Sequence, residues 1–119
     1  MRWFLNSKIH KAMVTEANLD YVGSITIDQE LLEKVDLQPG EKVLVVSNTS
    51  GARLETYVIV GKRNSGVICM NGAAAHLIKQ GEEIIVMGFK LSETTIEAKN
   101  ILVDKENKFL KFIEEEAQN

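Results

Sequence analysis

Cysteine is almost missing from this chain, and its scarcity closes several routes to function. Cys69 is the only one in 119 residues, so no intrachain disulfide can form and one chain cannot assemble a cysteine-rich zinc site. Its neighbours Val67, Ile68 and Met70 mark it as a small buried hydrophobe rather than a nucleophile. Histidine is nearly as rare: His10 and His76 are the only two, and neither sits in an H-E-x-x-H arrangement. A conventional metal or triad enzyme therefore has little to work with, and no metal site is expected. The glycines form neither a dinucleotide fingerprint nor a P-loop. Net charge is −3 with no basic stripe, so nucleic acid is not an expected partner. No apolar run approaches bilayer length, which removes a membrane partner from the expectation. Met1 to Leu5 shows no signal-peptide segment either, and the expected location is cytoplasmic.

What is present is a set of short, turn-bounded apolar stretches. The length suits one domain over 1–119, and 45% hydrophobic residues can supply a modest core. Strands are expected at Met13 to Thr15, Ser24 to Asp28, Glu41 to Ser47, Arg53 to Val60, Val67 to Met70 and Ile84 to Leu91. Less definite strands fall at Thr94 to Ala98 and Asn100 to Asp104. Gln29 to Val35 has a helical pattern with Asp28 as N-cap and Leu31, Leu32 and Val35 facing inward. A second short helix is predicted from Asn71 to Ile78 with Asn71 near its start, and Asn107 to Glu116 reads as an amphipathic or fraying helix. The only proline, Pro39, makes a strong turn with Gly40. Short strands at this spacing favour a mainly β barrel or sandwich over alternating βαβ units.

Three stretches can carry chemistry. Gly23-Ser24 stands just before a strand; most such pairs are turns, but a serine hydroxyl can attack the preceding carbonyl if the fold holds the two together. Arg53, Glu55 and Tyr57 share one strand face and Thr56 takes the other. Arg53 could grip a carboxylate and Tyr57 donate a proton, although the commoner use of such residues is edge solvation for Arg53, paired with Glu55, and packing for Tyr57. Lys8 belongs to a cationic patch, Ser7 to Lys11, that could support an anionic substrate or simply be solvated. For His10, a structural hydrogen bond or a helix-side position is at least as plausible as a chemical role. Asn71-Gly72-Ala73-Ala74 offers backbone N–H groups with small side chains, suited to an oxyanion or to a tight turn.

Taken together and in order, these segments resemble the pyruvoyl-dependent aspartate 1-decarboxylase family. The resemblance rests on Lys8-Ile9-His10, Val14-Thr15, Tyr21-Val22-Gly23-Ser24, Ile27-Asp28, Gly51-Ala52-Arg53-Leu54-Glu55-Thr56-Tyr57 and Asn71-Gly72-Ala73-Ala74-Ala75-His76, and it covers roughly the first 90 residues. It implies a double-psi β-barrel with short helices, assembled as a homotetramer with sites between subunits. It further implies that Ser24 attacks the Gly23 carbonyl, that the chain is cut between Gly23 and Ser24, and that Ser24 becomes a covalent pyruvoyl group. L-Aspartate would form an imine there, lose its α-carboxylate as carbon dioxide and leave as β-alanine, in the service of pantothenate biosynthesis. By the same resemblance Arg53 and Lys8 bind substrate carboxylate and Tyr57 donates the proton. Thr56 assists processing, and Asn71 with Gly72, Ala73 and Ala74 orders the anionic groups. An accessory maturation factor is carried as a candidate partner. Val46 stands where the family often has Trp, which bears on pocket shape. Two competing readings are a non-catalytic β-barrel assembly protein and a related pyruvoyl enzyme acting on glutamate.

Overall fold

Buried side chains recur with the two-residue period of strands, and the chain builds a mainly β architecture. The computed structural model describes residues 1–114. In chain order its elements are β1 (Arg2–Met13), β2 (Glu16–Asn18), β3 (Ser24–Asp28), α1 (Gln29–Val35), β4 (Lys42–Ser47), β5 (Arg53–Gly61), β6 (Ile68–Asn71), α2 (Ala74–Leu77), β7 (Glu83–Ser92), β8 (Lys99–Val103) and β9 (Phe109–Phe112).

The strands lie in the order β2-β6-β3-β5-β4-β7-β1-β8-β9. Parallel neighbours need long crossovers, and β3 reaches β5 through α1 and β4. β1 lies between β7 and β8, yet the chain leaving it becomes β2 at the opposite end of the order. Thr15 N–H donates to the Ile68 carbonyl at 2.8 Å, and Ile68 N–H returns a bond to Thr15 Oγ1 at 3.0 Å. The two ends of the sheet are thereby drawn together around one core. Ile9, Ile25, Ile27, Val45, Met70, Val86 and Ile101, from six different strands, meet in it fully buried. This is the barrel-like, mainly β form with short helices expected from the sequence, and its parallel pairs are compatible with double-psi connectivity.

α1 forms as expected. Asp28 Oδ1 accepts from Glu30 N–H at 2.8 Å, and Leu31, Leu32 and Val35 are buried. The same carboxylate accepts from Asn64 N–H and Gly66 N–H, each at 2.9 Å, so one buried acid caps the helix and fixes the β5–β6 loop.

Four expectations need correction. The first thirteen residues are mostly one twelve-residue strand, where the sequence suggested a strand only at Met13 to Thr15 and a helix-side place for His10. Register shifts between Leu5 and Ser7 and between Ile9 and Ala12 break the alternation that would have revealed it. Asn71 closes β6 instead of opening a helix; Gly72 turns the chain at φ 67 and α2 begins only at Ala74. Thr94 to Ala98 is not a strand, because Ser92 Oγ donates to Thr94 O and accepts from Thr94 N–H, bending the chain away from β7. Phe109–Phe112 is a strand, not part of a helix: the edge of β8 offers backbone partners that outweigh a weak helical pattern. Residues 107–108 and 113–114 of that expected helix are not helical either; its last two residues, and the expected solvated tail beyond Glu114, lie outside the described residues.

Candidate active site

Ser24 opens β3 with its side chain fully buried. Its hydroxyl donates to the Val22 carbonyl at 2.9 Å and accepts from Asn71 Nδ2 at 2.9 Å. Sheet register explains the second bond, since β3 and β6 run antiparallel with Ser24 directly opposite Asn71. Asn71 is itself buried, and its Nδ2 also donates to Thr26 Oγ1 at 2.9 Å, two residues along the same face of β3. Cys69 stands opposite Thr26 and points its sulfur at Asn71 Oδ1, 3.1 Å away. Burial, reinforced by the charge of Glu16, pushes the Cys69 thiol above its ordinary value, so it stays protonated and donates. It is the buried residue its flanks suggested.

The backbone on the other side of Ser24 is set by Gly72. A methyl group there would lie 2.7 Å from Gly23 Cα, 2.8 Å from Gly23 N and 3.0 Å from Tyr21 O. Gly72 is also in the left-handed region, and its N–H donates to Asn18 O at 2.8 Å. It therefore contributes room for Gly23 rather than a spare donor. Gly23, by contrast, is exposed, with no atom within 4 Å of where its own Cβ would stand. The close approach that the sequence suggested for Gly23 depends on the glycine facing it.

A cavity of about 420 Å³ opens beside this peptide, lined by Gly23, Leu54, Glu55, Thr56, Tyr57, Ala73, Ala74 and Leu77. Thr56 and Tyr57 both border it despite lying on opposite faces of β5. No bulge is involved, because the β4–β5 register is unbroken from Lys42 opposite Tyr57 to Val46 opposite Arg53. β3 pairs with β5 only from Ile25 opposite Val58 onward, so the preceding residues of β5 present an edge to the cavity, reachable from both faces.

Lys8 and Arg53 do not line that cavity. Lys8 pairs with Met87, Met87 with Leu44, and Leu44 with Glu55. Directly paired residues share a face, so Lys8 lies on the same sheet face as Arg53, Glu55 and Tyr57 but three strand spacings, about 14 Å, from β5. Arg53 lies on β5 directly before Leu54, which lines the cavity, and four residues, about 13 Å of extended strand, from Tyr57. His10 sits on β1 opposite Leu102, and His76 is exposed on α2. One chain thus groups Gly23, Ser24, Thr56, Tyr57, Asn71, Gly72, Ala73 and Ala74, sets Arg53 next to the lining residue Leu54, and leaves Lys8 apart. Thr26 and Cys69 were missed as neighbours of this group. Their i, i+2 spacing to Ser24 and Asn71 was the available signal, but only register shows that the two pairs face each other.

The family profile described as aspartate decarboxylase matches residues 1–110. The aspartate 1-decarboxylase of Desulfitobacterium hafniense is 54% identical over 119 residues, covering 97% of this chain and 94% of that protein. That of Bacillus subtilis is 57% identical over 90 residues, covering 76% of this chain and 71% of that one. That of Neisseria meningitidis is 54% identical over 111 residues, covering 90% and 87%. With a profile match across nearly its whole length and relatives above half identity, the chain belongs to the aspartate decarboxylase family.

Proposed function

We propose that this protein is an aspartate 1-decarboxylase that converts L-aspartate to β-alanine and carbon dioxide at a pyruvoyl group made from its own Ser24. In a chain of this family, the observation that carries the reading is the buried Ser24 hydroxyl, held by Asn71 beside a Gly23 backbone pressed against Gly72 at the mouth of a cavity. Maturation begins when Ser24 Oγ adds to the Gly23 carbonyl carbon and the C–N bond breaks, leaving an ester and a free amine. Elimination across Cα–Cβ of Ser24 then releases the Gly23 carboxylate, and water replaces the nitrogen, which leaves as ammonia. Asn71 orients the attacking oxygen, and Thr56 at the cavity wall assists processing.

The residues around Ser24 suit the group so formed: removing Oγ leaves a small end seated opposite Asn71, next to the cavity, with Gly72 leaving space beside it. When present, the pyruvoyl ketone and its adjoining carbonyl supply an electron sink for decarboxylation. Arg53 and Lys8 bind the retained carboxylate of the substrate, which is the natural recognition handle because the other carboxylate departs. Tyr57 supplies the proton that takes its place, and Asn71, Ala73 and Ala74 order the anionic groups. Because Lys8 of one chain stands three strands away from β5 and its cavity, a second copy provides it, in keeping with a homotetramer whose sites lie between subunits. The chain acts as one domain over 1–119 in the cytoplasm, with β-alanine directed to pantothenate. Among the described residues no helix is long and apolar enough to cross a membrane.

The test is product formation by the purified full chain. L-Aspartate should yield equal amounts of β-alanine and carbon dioxide, and Ser24→Ala should yield neither. Faster turnover of L-glutamate would replace the substrate assignment, and no turnover of either acid by cut protein would overturn the reading.

A further inference from the structure

Among the described residues Asn71 is the one side chain hydrogen-bonded to the Ser24 hydroxyl, and both ends of its amide have partners. One Nδ2 bond goes to Ser24 Oγ and another to Thr26 Oγ1, while Oδ1 faces the Cys69 thiol. The orientation is not arbitrary. Ser24 gives its single hydroxyl proton to Val22 O and can only accept from Asn71, which places the NH2 end of the amide towards it. A flipped amide would set an oxygen against that acceptor and an NH2 group against a protonated thiol. Ser24 and Cys69 thus set which way round the amide lies, and Thr26 anchors its NH2 end by accepting from nitrogen. Thr26 and Cys69 come from strand positions two residues removed from the pair they serve, directly opposite one another in the sheet.

We propose that Thr26 and Cys69 are positioning residues for cleavage of the Gly23–Ser24 bond, acting through Asn71. Neither touches the reacting atoms. Each restricts the rotation of an amide whose donor must follow Ser24 Oγ as it leaves Val22 O and approaches the Gly23 carbonyl carbon. The buried setting makes the arrangement consequential, because a mis-set amide there finds no water to correct it. The inference rests on the self-cleavage reading above, and the two are separable by experiment.

Full-length precursor is made in a short pulse, and the appearance of the cut chain is followed by intact mass. Thr26→Val keeps the branched shape and removes the acceptor; Thr26→Ser restores the acceptor. Thr26→Val should cleave about tenfold more slowly, the worth of about one net hydrogen bond, with a modestly lowered urea midpoint because a buried Asn71 N–H loses its partner. Thr26→Ser should return to within about threefold of the parent. Cys69→Ala should slow cleavage and Cys69→Ser, which keeps a donor, should recover it. The proposal is overturned if Thr26→Val and Cys69→Ala cleave at the parent rate. It is equally overturned if slow cleavage accompanies a lowered midpoint and is not rescued by serine, since the residues would then be structural only. A parent chain that never cuts would instead overturn the functional reading itself.

Discussion

Replacing Gly72 with alanine tests the geometry of the cleavage site through a residue that has no chemistry of its own. The added methyl would meet Gly23 Cα at 2.7 Å and Gly23 N at 2.8 Å, whereas carbon contacts settle near 3.5–4.0 Å, so the Gly23 backbone must retreat by about 1 Å. A left-handed φ costs an L-residue a further ~1–2 kcal/mol. Misplacing reacting atoms by about 1 Å costs on the order of 100-fold in rate. Gly72→Ala should therefore fold with a lowered urea midpoint and cleave about 100-fold more slowly. Gly40→Ala is the matched control: Gly40 has φ 90, but nothing lies within 4 Å of its Cβ position. It should suffer only the loss of stability from the left-handed φ and cleave normally. Pulse–chase intact mass and urea denaturation read both quantities. Parent-rate cleavage in Gly72→Ala, or equal slowing in Gly40→Ala, would refute the close-approach argument.

Three other outcomes follow from the same structure. Asp28→Ala orphans the N–H groups of Glu30, Asn64 and Gly66 and should cost about 2–4 kcal/mol, read from the urea midpoint. The Glu82 carboxyl is held below its ordinary value, first by the Ser47 hydroxyl and then by the Lys79 N–H. A depressed folded-state value gives stability that is present above the unfolded value and lost as pH falls through the folded one. Stability should therefore decline as pH drops below the usual carboxylate range, and Glu82→Gln should flatten that decline in acid titrations of the urea midpoint. Arg53→Ala should leave cleavage intact while raising KM for L-aspartate about 10- to 100-fold in steady-state kinetics, by removing a charged carboxylate partner. Loss of cleavage with unchanged substrate binding would reverse that division of labour.

Local rules revealed α1 and most of the central strands. Asp28 followed by Leu31, Leu32 and Val35 announces a capped amphipathic turn, and Ser24 to Asp28 alternates strictly. β1 escaped because two register shifts scramble its period, and β9 because its partner strand decides its state. The site divides in the same way. Gly23-Ser24 and Asn71-Gly72 could be read as special peptides, but their contact depends on β3 and β6 being paired, which no local window contains. Thr56 and Tyr57 posed a difficulty of opposite faces that disappears once β3 is seen to begin pairing only at Val58. The separation of Lys8 from the cavity is a property of sheet order alone.

The most direct test of self-cleavage is the intact mass of the purified chain under denaturing conditions. Two fragments should appear, one ending in Gly23 and a larger one beginning at the former Ser24, lighter than its simple hydrolysis product by one ammonia. A chain that stays whole through prolonged incubation, or that is cut there with serine retained, would contradict the account.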